Sequence, residues 1–99
     1  MSGRIYARDG KPLNDLQSFG RLLADLDYKM VGLAKLPGGV EVSTVWLGIN
    51  HQFKPDGPPL IFETMVFGGP LDSEQERYAT EAEAIEGHRR WVVKLMGEG

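Results

Sequence analysis

No cysteine occurs in the 99 residues, which excludes disulfides and thiolate metal sites and leaves the chain indifferent to redox compartment. Long apolar runs are missing too: nothing approaches the eighteen or so consecutive apolar residues of a membrane-spanning helix. The opening "MSGRIYARDG" lacks the apolar stretch of a secretory signal, so a cytoplasmic location is expected. Histidine is scarce. Two histidines without cysteine cannot close a structural zinc site, which takes four protein ligands, and neither a metal nor a cofactor is expected. An excess of positive charge is likewise absent, since 11 Lys and Arg face 14 Asp and Glu for a formal charge of −3. Nucleic-acid binders concentrate Lys and Arg on one face to displace counterions, so this balance argues against such a partner. The same charge is far too small for an acidic nucleic-acid mimic.

Catalytic signatures are also wanting. There is no G-x-S-x-G elbow, no phosphate-binding P-loop and no G-x-G-x-x-G after a strand. Ser43 shows no patterned partnership with either histidine. The residues lean away from an enzyme.

What is present is the composition of an ordinary globular protein, 41% hydrophobic and 25% charged. The length suits one domain over 1–99. Residues 4–13, "RIYARDGKPL", read as a hairpin turning at Asp9-Gly10, with Pro12 confining it to a sheet edge or outside the sheet. Asn14 followed by Gln17 reads as a capping box. Behind it Leu16, Phe19, Leu23 and Leu26 make the apolar stripe of a helix over 15–26. Gly20 costs that helix about 1 kcal/mol against Ala, which suggests close packing on a neighbour. Three strands follow at 28–36, 40–49 and 60–67, the first two joined by Pro37-Gly38-Gly39. Neither face of the third is polar, which places it centrally or covered on both sides. Residues 68–79 read as an irregular stretch. Thr80 with Glu83 then caps a last helix whose stripe is Ile85, His88, Val92 and Leu95, with Ala84 and Trp91 alongside.

These patterns predict an α+β fold: a three- or four-stranded antiparallel sheet with two helices packed on one face. Residues 4–8 are the candidate fourth strand. The expected core is Leu16, Phe19, Leu23, Leu26, Val42, Val45, Trp46, Phe62, Ile85, Val92 and Leu95.

Candidate functional residues cluster where β-structure stops. In "STVWLGINHQF" Trp46 stays in register with Val42 and Thr44 and belongs to the core, whereas Gly48 and Asn50 let the backbone leave the sheet. The loop "NHQFKPDGPP" (50–59) then offers His51, Phe53 and Asp56, stiffened by Pro58-Pro59. A rigid loop presenting an aromatic loses little entropy on docking and makes a good anchor. Phe53 folded back as a plug for the sheet end is the other reading. Glu63, flanked by apolar residues, would be a tuned acid if buried, or simply an ion-paired surface carboxylate. His88 sits in a helical apolar stripe, as a hydrogen-bonded, partly buried imidazole would.

The wording "VSTVWLGINHQF", "GPPLIFETMVFGGPLD" and "ERYATEAEAIEGH", together spanning 42–88, resembles a family of small proteins of about this length encoded by bacteriophages and prophages, notably of actinobacteria. The resemblance implies a phage-encoded protein expressed inside a host bacterium. It implies no catalytic residues, because no activity is attached to that family. The function expected is a non-catalytic protein-binding module acting on a host or phage protein, with a homodimer left open. The alternatives are a small-ligand or enzymatic domain gathering His51, Glu63 and His88, and a virion assembly component of higher oligomeric order.

Overall fold

The computed structural model describes residues 5–52, 54 and 56–98. Among them the elements run α1 (Leu16–Ala24), α2 (Leu26–Lys29), β1 (Met30–Leu36), β2 (Val40–Trp46), β3 (Phe62–Phe67), β4 (Gln75–Tyr78) and α3 (Glu81–Glu98). The four strands form one antiparallel meander in the order β1-β2-β3-β4. The fold is α+β, with helices packed against one face of that sheet.

Local chemistry sets the element ends. Asp15, rather than Asn14, caps α1: one carboxylate oxygen accepts from the Gln17 N–H at 2.9 Å and the other from the Ser18 hydroxyl at 2.8 Å. Those bonds hold the Asp15 carboxyl below its ordinary value. At Asp25 the backbone leaves the helical region, and its carboxylate caps the single turn of α2 through the Tyr28 N–H. This break rotates Leu26 out of the stripe begun by Phe19 and leaves it 74% exposed. Thr80 and Glu83 form the expected capping box, with Glu83 N–H on Thr80 Oγ1 at 3.1 Å and Thr80 N–H on Glu83 Oε1 at 3.2 Å.

In the register, Ala34, Val42 and Val66 lie side by side, as do Gly32, Thr44, Thr64 and Glu76, and then Trp46, Phe62 and Tyr78. These residues share one face, the inner one, which α3 covers along its length. The core gathers Phe19, Trp46, Ile61, Phe62, Tyr78 and Ala84. Trp46 is wholly buried, meets the edges of Phe19 (5.8 Å between centroids) and Tyr28 (5.0 Å), and donates its indole N–H to the Tyr6 carbonyl at 2.9 Å.

Several expectations need correction. The fourth strand is Gln75–Tyr78, inside the stretch read as irregular; it is short and polar because its outer edge meets water. Residues 5–13 do form a hairpin, with Ala7 N–H on Lys11 O and Leu13 N–H on Ile5 O, but they add no strand to the sheet: one isolated bridge, Ile5 to Ile49, and the Trp46 indole on the Tyr6 carbonyl tie them to it. Gly48, at φ +80°, turns the backbone out after Trp46, so no longer pairing can develop there. Leu16 and Ile85 are exposed, and Val45 faces the opposite side of the sheet from Trp46. The predicted stripe of α3 keeps His88, Val92 and Leu95, all part-buried with Trp91, but Ala84 and Gly87 are its buried residues and Ile85 faces out. Gly20 packs on nothing: a Cβ there would meet open space. β3 is interior in strand order, as its apolar faces predict, and among the described residues helices lie on one face of it.

Candidate functional site

The sheet divides the candidate residues between two sides. His88 projects from α3 onto the inner face, where its ring lies against Gly32 so closely that a Cβ there would sit 2.9 Å from Nε2. Its Nδ1 is 2.7 Å from Thr44 Oγ1, which is bonded in turn to Thr64 Oγ1. Thr64 Oγ1 is 2.9 Å from the Tyr78 hydroxyl, and that hydroxyl is 3.1 Å from Glu76 Oε1. Glu76 Oε1 also accepts from the Trp91 indole N–H at 3.0 Å and lies 3.5 Å from Arg90. A continuous polar chain thus runs beneath α3 through an otherwise apolar layer.

The carboxylate end fixes the sense of this chain. An ionised Glu76 can only accept, so the single phenolic hydrogen of Tyr78 goes to it. Tyr78 must then accept from Thr64, Thr64 from Thr44, and Thr44 from an Nδ1–H of His88. Burial, with the Glu76 carboxylate beside it, pushes the Tyr78 hydroxyl up to about 12. Burial alone pushes His88 below its ordinary value, which favours the neutral ring. Every buried side-chain polar atom among the described residues has a partner, so the chain is a satisfied structural network that sets how α3 seats.

The other side of the sheet carries Glu63. It pairs with Arg77 across the β3–β4 ladder, Nε to Oε2 at 3.0 Å, with 13% and 29% of the two side chains exposed. Glu63 is therefore an ion-paired carboxylate at the margin of this outer face. His51 leaves the sheet where expected, held by its N–H on the Leu60 carbonyl and by Asn50, whose Oδ1 accepts from the Gln52 and Leu60 N–H groups. The His51 Nδ1 lies 2.9 Å from the Ile49 carbonyl, an acceptor, so Nδ1 carries the proton. His51, Glu76 and Arg77 line a shallow hollow of about 400 Å³ with Gln52, Lys54, Leu60 and Gln75. Glu63 reaches this neighbourhood through Arg77, whereas His88 lies across the sheet from both. Asp56 is exposed in the loop, and Phe53 lies outside the described residues. Among the described residues no group of three or more His, Asp or Glu could hold a metal ion, and no helix is long and apolar enough to cross a membrane.

The outer face is the larger feature. No helix among the described residues lies on it, and its rows read Lys35, Glu41, Phe67; Leu33, Ser43, Met65, Gln75; and Met30, Val45, Glu63, Arg77. Leu33 is 48% exposed and Phe67 47%, with Met65 and Val45 half-buried between them. Its charges are balanced and sit toward the ends of the strands. At the β1–β2 turn a separate groove of about 540 Å³ is walled by Leu36, Pro37, Val40, Pro70, Leu95 and Met96.

Neither the polar chain nor this face was anticipated. A signal for the first existed: Thr44 and Thr64 share strand faces with Val and aromatic residues, where a hydroxyl needs a partner. The second follows from knowing that both long helices lie on the same side, which no periodicity states. No protein-family model, curated protein or solved structure matches the chain.

Proposed function

We propose that this chain is a non-catalytic protein-binding module that docks a host or phage protein on the outer face of its sheet. The observation that carries the reading is the outward-facing set of Leu33, Met65 and Phe67, spread over two neighbouring rows around Ser43 and Glu41, on a sheet face that no helix covers among the described residues. Contiguous exposed apolar surface rimmed by charge is characteristic of interaction sites. The distribution of the polar groups supports it as well. His88 is committed to Thr44, Glu76 to Tyr78, Trp91 and Arg90, Glu63 to Arg77, and His51 to a backbone carbonyl, so among the described residues no unpaired acid, base and nucleophile converge. The similarity of residues 42–88 to small phage-encoded proteins supports a setting inside a bacterium.

A small-ligand pocket around His51 and Glu63 has less in its favour, because the hollow there is shallow and its one imidazole is already bonded. The deciding experiment compares the parent with Phe67→Glu and Leu33→Glu in affinity capture from bacterial lysate, each variant first checked for unchanged thermal stability. Loss of a captured protein by both variants, and its retention by His51→Ala, is the expected result. Capture that is indifferent to both outer-face charges overturns the reading.

A further inference from the structure

We propose a second contact surface, which adjoins the outer face at Leu33: the β1 edge together with the adjoining flank of α3, which pairs with the same surface of a second copy of this chain. β1 is an edge strand with no strand on its outer side among the described residues. It is seven residues long, contains no proline and carries a single charge, Lys35. Natural sheets protect such edges with charge, proline, a bulge or a covering element, because every second residue turns a free N–H and C=O outward. β1 has one irregularity, at its start between Met30 and Gly32, and the remainder is regular.

The helix above it is unfinished on the same side. Around α3, Arg90 and Trp91 reach Glu76 on β4, while His88 reaches Gly32 on β1 and Thr44 on β2. Continuing the turn past His88 brings Ile85, Val92 and Met96 out over the β1 side, with Val93 beyond them. Ile85, Val93 and Met96 are 54%, 59% and 56% exposed. The ionic groups along that flank are already paired, Arg89 with Glu86 at 2.8 Å and Glu81 with Arg8 at 2.8 Å.

A bare strand edge beneath an apolar helix flank needs a partner offering both a strand and a helix at the same spacing. A second copy, turned by a two-fold axis perpendicular to the sheet, offers them automatically: the strands meet antiparallel and the helices lie side by side. Full overlap of Met30–Leu36 with its mate puts Leu33 on the axis and Gly32 opposite Ala34. In that register Lys35 faces Val31, so no like charges meet. A strip about 23 Å long, at 3.3 Å per strand residue, and two layers deep offers on the order of 600 Å² per copy. That is the low end of standard interfaces, so a reversible dimer in the micromolar range is expected. The product is a continuous eight-stranded sheet, which doubles the outer face rather than covering it.

The test is light scattering and sedimentation of the full chain from about 1 to 200 µM, where the dimer has twice the 11.0 kDa chain mass. Ile85→Glu with Val93→Glu, both exposed in the monomer, should raise the dissociation constant by more than about tenfold. Phe67→Glu, on the outer face, should leave it unchanged. Because the chain has no cysteine of its own, Leu33→Cys is a clean probe: mild oxidation should join it to its mate, while Gln75→Cys on the opposite edge stays single. A parent that remains monomeric at 200 µM overturns the proposal. So does a dimer that resists the two helix charges, or one that Phe67→Glu dissolves, which would place self-association on the outer face. Leu33→Glu bears on both surfaces because Leu33 lies on the axis, so Phe67→Glu on β3 separates them: loss of capture with an unchanged dissociation constant belongs to the outer face alone.

Discussion

Tyr78→Phe removes one oxygen from the middle of the polar chain under α3, and its effect can be worked through atom by atom. The hydroxyl donates to Glu76 at 3.1 Å and accepts from Thr64 at 2.9 Å, in a residue 5% exposed. A hydrogen bond to a charged group contributes about 1.5–3 kcal/mol. Glu76 keeps Trp91 and Arg90, so its charge is not orphaned. Thr64 loses its acceptor but can turn to donate to Thr44, and Thr44 to His88. That reversal is open only if the His88 proton moves from Nδ1 to Nε2. The expected cost is therefore about 2 kcal/mol, near the middle of the range. In a domain of this size that lowers Tm by roughly 8–16 °C. Urea denaturation measures the first quantity, and nitrogen-15 NMR of the imidazole measures the second, as a change of tautomer at His88. A variant within about 0.5 kcal/mol of the parent, or one that keeps its Nδ1 proton, refutes the chain as drawn.

Trp46→Ala should cost about 3–5 kcal/mol by chemical denaturation, whereas Leu26→Ala, 74% exposed, should change stability by less than about 0.5 kcal/mol. Two glycine-to-alanine changes should have opposite signs. Gly20→Ala, in a helix and facing open space, should stabilise by about 0.5–1 kcal/mol; Gly32→Ala, which drives a methyl into His88, should destabilise by about 1–3 kcal/mol. Stability should also fall in alkali. Tyr78 holds its proton to about 12 in the folded chain against 10.0 unfolded, so its contribution is complete below pH 10 and is lost as pH rises through 12. The loss is on the order of 2–3 kcal/mol in total, and it should be absent from a pH titration of Tyr78→Phe.

The amino-acid sequence by itself determined the local alphabet of this fold. The Thr80–Glu83 capping box, the Pro37-Gly38-Gly39 reversal and the period-2 run of Val42, Thr44 and Trp46 each act within a few residues, so they are legible without knowing what lies across the molecule. The departure of the chain at Gly48 is of the same kind. Where an apolar stripe points is a different matter. α3 carries apolar residues over a wide arc: the inward place of His88 was legible in its stripe, but only docking on the sheet decided that Ala84 faces in while Ile85 faces out. β4 was invisible because three polar residues and one tyrosine become a strand only when β3 offers an edge to pair with. The candidate site divides in the same way. His51 was found from loop chemistry, whereas the separation of Glu63 from His88 by a sheet, the chain through Thr44 and Thr64, and the uncovered outer face arise from strand register and helix placement. Those are sums of long-range contacts, and no single segment contains them.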